Sequence, residues 1–179
     1  MWPTYALATR SCADQRKETP VADITLDAIW QEIEKNVFAV LGMVTAKGEA
    51  RTAGIVYIVH DRTIYIGSEQ DAWKVKHVAA NPHVSLTVAI PKSVPLMPWI
   101  KVPAATITVA GEADVLAADA VGDAVVAKLF RGMKNVEELK RTFAVIAVRP
   151  TGHFVTYGVG VSLMDMRDPA KARARVAVV

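Results

Sequence analysis

The sequence predicts a mainly β, α+β protein: an antiparallel β-barrel, closed or partly closed, with a few helices filling its gaps. At least six or seven short apolar segments follow one another with turn residues between them, as strands in hairpin succession do. About three amphipathic helical stretches are interspersed among them. The clearest strand lies mid-chain, where Val84, Leu86, Val88 and Ile90 alternate with His83, Ser85, Thr87 and Ala89.

With 179 residues, one domain is expected. Its parts are an irregular arm over residues 1–23, a barrel over 24–160 and a C-terminal extension over 161–179. Residues 1–23 mix Pro, Thr, Asp, Arg and Lys without period. Thr25 then reads as the N-cap of a helix that places Leu26, Ile29, Trp30 and Ile33 on one face and turns Glu32 and Glu34 away. On that face Trp30 is read as a core anchor rather than a ligand-stacking ring.

Val37 to Thr45 is a continuous apolar run, expected to be a strand buried on both faces. Gly42 within it marks a bulge or the close approach of another backbone. From Ala50 to Val59 a second strand puts Arg51, Ala53, Ile55, Tyr57 and Val59 on one side and Thr52, Gly54, Val56 and Ile58 on the other. His60-Asp61-Arg62 makes the turn into a strand from Thr63 to Ser68. A helix from Asp71 to Ala80, stopped by Asn81-Pro82, follows with Val75, Val78 and Ala79 as its buried stripe. Lys74 and Lys76 lie about 200° apart around its axis, so one of the two belongs to the surface.

Residues 91–103 hold four prolines and leave Leu96, Met97, Trp99 and Ile100 in need of a surface to lie on. A strand from Ala104 to Leu116 with a bend at Gly111 comes next, then a helix from Ala117 to about Arg131 with Val121, Val125 and Leu129 inward. A short helix near Asn135 to Lys140 leads into the strand Phe143 to Val148. Arg149-Pro150-Thr151-Gly152 then reads as the turn of a last hairpin, completed by His153 to Tyr157.

Hydrophobic residues make up 52% of the chain and mean hydropathy is +0.24. That points either to a buried oligomer interface or to a core rich in alanine and valine. Net charge is +3, with Arg10, Arg16 and Lys17 near the start and Arg167, Lys171, Arg173 and Arg175 near the end. No basic–aromatic interleaving accompanies these ends, so they are read as solvated tails and no nucleic-acid partner is expected. Cys12 is the single cysteine, which suits a reducing, cytoplasmic setting. No apolar run reaches about 18 residues, so no membrane span is expected.

Candidate chemistry narrows quickly. His60, His77, His83 and His153 lack the helical pairing and the carboxylate or thiolate company of a metal site, so none is expected. There is no G-x-S-x-G, and Gly158-Val159-Gly160 is too short for a dinucleotide loop. The stretch from Arg51 to Pro82 is richer. Ser68 ends a strand and Lys74 begins the next helix; a hydroxyl, free helix-start N–H groups and an ammonium together satisfy a phosphate. Arg51 offers a second cation, unless both it and Lys74 are ordinary solvated charges.

RTAGIVYIV, TIYIGS and WKVKHVAANPHVSLTV, taken together, resemble the core of the pyridoxamine 5'-phosphate oxidase-like, split-β-barrel family of flavin-binding proteins. The likeness covers roughly Thr25 to Leu116 well and the C-terminal third in strand order only. It implies a split barrel that forms a homodimer with FMN at the subunit interface. Arg51, Thr52 and Ala53 would line the flavin, Gly67 and Ser68 would sit at the end of the neighbouring strand, and Lys74 would hold the phosphate. Trp73 stands where the family usually has a basic residue, which opens the way to a different cofactor tail. The Trp and Arg that pyridoxamine phosphate oxidases use near the C-terminus are not found, so vitamin B6 oxidation is not implied.

Some relatives bind the deazaflavin coenzyme F420 instead, whose longer anionic tail would suit Lys76, Lys92 or Lys101. The expected function is therefore flavin-dependent hydride transfer to a small conjugated or quinone-like acceptor. The alternatives are an F420-dependent reductase, a flavin carrier or sensor without turnover, or an interaction module that has lost its ligand. No catalytic side chain is singled out.

Overall fold

A computed structural model of the chain describes residues 24–94, 99 and 101–179. The expected arm, with Arg10, Cys12, Arg16 and Lys17, lies outside the described residues, as do Leu96, Met97 and Ile100.

Helix α1 (Leu26–Lys35) opens as expected, with Thr25 Oγ1 accepting the Ala28 N–H at 3.2 Å. Eight strands and four further helices follow among the described residues. In order they are β1 (Phe38–Val44), β2 (Ala50–Val56), β3 (Ile58–His60), β4 (Thr63–Glu69), α2 (Trp73–Ala80), β5 (His83–Ile90), β6 (Ala105–Ala117), α3 (Asp123–Leu129), α4 (Val136–Thr142), β7 (Phe143–Tyr157), α5 (Pro169–Ala172) and β8 (Arg173–Ala177). A 3-10 turn, Asp165–Arg167, precedes α5.

All the strands pair antiparallel in one sheet of order β2-β1-β5-β6-β7-β4-β3, with β8 beside β7. Its two ends, β2 and β3, are consecutive in the chain and separated only by Tyr57. The sheet therefore curls until its two edges belong to one continuous segment, which is how a split barrel closes. The expected single strand from Ala50 to Val59 is thus two. It breaks because the chain exchanges partners at Tyr57, whose N–H donates to Val37 O (3.1 Å) and whose hydroxyl donates to Ile33 O (2.8 Å).

The inward face of every strand feeds one core, into which α1 sends Ile29, Trp30 and Ile33. Trp30 packs edge-on against Phe154, with ring centroids 5.5 Å apart, so it is the core anchor expected. A second cluster lies outside the barrel, where Val125 and Val126 of α3 and Leu139 of α4 cover Tyr65 of β4 and Val145 of β7. The strand buried on both faces is therefore β7, from Ala144 to Val148. The run in β1 is not: Ala39, Leu41 and Met43 are buried, but Phe38 and Val40 face outward and are exposed. Among the described residues no helix covers the outer face of β1 and β2, and Val56, in register with Phe38, adds to this apolar surface.

Other boundaries moved for physical reasons. Gly42 stays in regular register, and its close neighbour is the Ser85 hydroxyl, which a Cβ would strike; it marks neither a bulge nor a backbone contact. Helix α2 begins two residues later than expected, after the turn closed by Ala72 N to Glu69 O (3.0 Å), and Ala79 is exposed rather than buried. Helix α3 is shorter than the expected Ala117–Arg131 because β6 runs on to Ala117, held by Ala144, and Gly122 then starts the helix. The expected hairpin at Arg149–Gly152 is absent, and β7 continues through it. Pro150 fits because β4 pairs only as far as Val148 and β8 begins at His153, so its missing N–H falls where β7 has no second neighbour. The irregularity in this ladder lies between Thr108 and Ala110, just before Gly111. Beyond Gly160, β8 lengthens the sheet beside β7.

Candidate functional site

One rim of the barrel is built from the C-terminal ends of β1, β4 and β6 and the N-terminal ends of β2, β5 and β7. Helix α2 spans it, leaving β4 and delivering the chain to β5. It is anchored at one side by Gln70 N donating to Thr142 O (3.0 Å) and at the other by Ala113 N donating to Pro82 O (2.9 Å). Val75 and Val78 point down into the core. The helix starts without a side-chain cap, because Ala72 occupies that position. First-turn N–H groups have no partner within a helix, so this start can accept an anion.

Around it stand the residues singled out in the sequence. Ser68 is 5% exposed and shares the inward face of β4 with Ile64 and Ile66. Lys74 is half-buried and forms no ion pair among the described residues, whereas Lys76 is exposed and reaches Asp71 at 3.8 Å. Lys76 is thus the surface lysine of the two. Trp73 is 47% exposed, its ring 5.6 Å from that of His77. Arg51 sits on β2 at the same rim, opposite Met43, and is held by Glu49 at 2.8 Å. Ala53 packs against the core, while Thr52 faces outward opposite Gly42. Gly67 lies beneath α3, where a Cβ would meet Leu129 Cδ2 at 3.3 Å.

Ser68 thus lies near the end of β4 and Trp73 and Lys74 at the start of α2, while Arg51 stands on β2, a strand that contacts β4. Thr52 and Gly67 face elsewhere in the protomer.

Three groups near this junction escaped the sequence reading. Gln70, Lys140 and Arg141 line a cavity of about 330 Å³ together with Ala117, Asp119 and Glu137. Lys140 donates to Glu137 Oε1 at 2.8 Å, and this bond raises the lysine pKa and lowers the glutamate pKa from their ordinary values. Nothing local in the sequence marks these residues, since they meet only because α4 is carried to the rim by β7. Conversely, Lys92 lines a cavity at the other end of the barrel with Ile24 and Ile90, and Lys101 precedes β6 at that same end. Among the described residues no group of three or more His, Cys, Asp and Glu side chains is placed to hold a metal. No helix there is long and apolar enough to cross a membrane.

Architecture and rim define the class: an antiparallel split barrel with a helix laid across its open end. The sequence profile described as pyridoxamine 5'-phosphate oxidase matches residues 25–156, and the chain belongs to that family. Solved structures share the fold. A heme-binding protein from Mycobacterium smegmatis superposes with TM-score 0.61 at 16% identity, over 86% of this chain and 57% of its own. HutZ, a heme storage protein from Vibrio cholerae, gives 0.57 at 15% identity, over 76% and 98%. An F420 reductase gives 0.50 at 18% identity, over 69% and 93%. No curated protein matches the chain at a significant level.

Proposed function

We propose that the protein is a flavin-dependent oxidoreductase that binds FMN at the β4–α2 junction and works as a homodimer. The observation that carries this reading is the uncapped start of α2, with Ser68 before it and Lys74 in its first turn free of any described carboxylate. A hydroxyl, two unpaired backbone N–H groups and an ammonium form the donor set that a phosphate monoester needs. In this reading Ser68 and Lys74 hold the phosphate and Arg51 and Ala53 border the ring from β2, while Thr52, on the outward face, takes part only across the dimer interface. Gly67, packed beneath α3, takes no part in this site, and Trp73 shields one edge. When bound, FMN supplies hydride transfer to a small conjugated or quinone-like acceptor. The chain orients the ring and excludes water; no side chain is assigned proton transfer.

The second copy is expected on the outer face of β1 and β2, where Phe38, Val40 and Val56 are uncovered. F420 is the competing cofactor, favoured by the uncharged Trp73 beside Lys74. Lys92 and Lys101 lend it no support within one protomer, being at the opposite end of the barrel. A carrier without turnover remains the reading from another class.

Parallel titrations of the purified protein with FMN, F420 and hemin, followed by addition of a nicotinamide donor, test this. FMN bound most tightly and then bleached by the donor supports the oxidoreductase. FMN bound but never reduced supports the carrier, and preference for F420 or hemin overturns the FMN assignment.

A further inference from the structure

Strand β8 presents an open edge. It pairs with β7 along all five of its residues and has no strand on its other side among the described residues. It is fixed in place from beneath, because Val176 and Val178 pack on the main core and Val178 N donates to Gly152 O at 3.0 Å. Its outward positions are Arg173 and Arg175, in register with Tyr157 and Val155, and the exposed Lys171 lies one step before them.

These cations are left without partners by their surroundings. Arg51 of β2 and Arg149 of β7 each hold a carboxylate, at 2.8 Å and 2.7 Å. Arg173 and Arg175 hold none among the described residues. The acids nearest in sequence are committed elsewhere, since Asp168 accepts the Ala170 N–H at 3.0 Å and Asp165 accepts the Ser162 hydroxyl at 2.6 Å.

We propose that β8 is a docking edge for an acidic, extended peptide segment of a partner protein, added as a further strand. Backbone N–H and C=O groups on the open edge supply the affinity, and carboxylates at alternate positions meet Arg173 and Arg175, whose own spacing is two residues. A second β8 is disfavoured as the occupant, because antiparallel pairing in full register over its five residues would set Arg175 against Arg175. A nucleic acid is disfavoured, because it would use the cations and leave the backbone edge unpaired, and two or three cations neutralise few phosphates.

The test is fluorescence polarisation with a labelled peptide of about ten residues alternating Glu with Thr or Val, a length that spans the strand. It is run beside a Gln-for-Glu version, an N-methylated version that cannot join a sheet, and an oligothymidylate of equal charge. The acidic peptide is expected to bind tightest, and to lose about tenfold or more both on N-methylation and in the Arg173→Glu/Arg175→Glu protein. Thermal melting and FMN titration of that variant, both expected unchanged, show that it is folded and that its cofactor site is separate. Equal binding of the N-methylated peptide, preference for the oligonucleotide, unchanged affinity in the variant, or no binding at millimolar peptide would each overturn the proposal.

Discussion

Lys74 and Tyr57 show how differently single residues act in this molecule. Lys74 is half-buried at a helix start and forms no ion pair among the described residues, so its value lies in what it can bind. Lys74→Ala is expected to weaken FMN binding by about 1–3 kcal/mol, roughly five- to 150-fold, as a charge-assisted hydrogen bond is lost. Isothermal titration checks this, and an unchanged affinity removes Lys74 from the site. Tyr57 acts on stability instead. It is 2% exposed and its hydroxyl reaches Ile33 O at 2.8 Å, tying α1 to the point where β2 becomes β3. Tyr57→Phe leaves that carbonyl with the Asn36 N–H (3.2 Å) alone and is expected to cost about 0.5–1.5 kcal/mol near neutral pH by urea unfolding. Burial pushes the Tyr57 pKa well above its ordinary value of 10.0. The folded state therefore keeps the proton more tightly than the unfolded chain does. The resulting stability is complete below the unfolded pKa and declines as pH rises above about 10. Tyr57→Phe is expected to flatten that alkaline decline, and an equally steep loss in the variant would contradict it.

The elements divide into those set by their own residues and those set by neighbours. Helix α1 belongs to the first kind, having its cap and stripe in sequence; Thr25→Ala is expected to lower stability by about 1 kcal/mol. Strands β6 and β7 belong to the second. They continue past residues that suggest turns because each lies in the other's ladder from Ala117–Ala144 to Thr106–Tyr157. Gly111 leaves no room for a side chain between them: a Cβ there would meet Val148 Cγ1 at 2.8 Å and Arg149 O at 2.9 Å. One of those neighbours is backbone and cannot rotate away, so Gly111→Ala is expected to destabilise by about 1–3 kcal/mol. Thermal unfolding that leaves the midpoint unmoved would show that the strands can part there freely.

At the scale of the molecule, the two outer sides of the barrel are treated unequally. Helices α3 and α4 cover β4 and β7, whereas Phe38 at 51% and Val56 at 67% exposure face outward from β1 and β2. If that face joins two copies, Val56→Asp should shift the protein from dimer to monomer in analytical ultracentrifugation and weaken FMN binding with it. Wild-type protein that sediments as a monomer at micromolar concentration would remove both the dimer and an interface-bound cofactor.

Short-range pattern in the chain was enough for the strand alternation of β5, the capped start of α1, the lysine division on α2 and the family resemblance over Arg51 to Pro82. Each rests on residues within a turn or two of one another, where side-chain periodicity and local hydrogen bonds decide. Partner exchange at Tyr57, the unbroken run of β7 through Pro150, the one-sided burial of β1 and the meeting of Gln70 with Lys140 and Arg141 were decided only by assembly. In each of these the deciding contact comes from residues far along the chain, and no window of sequence contains both halves of it.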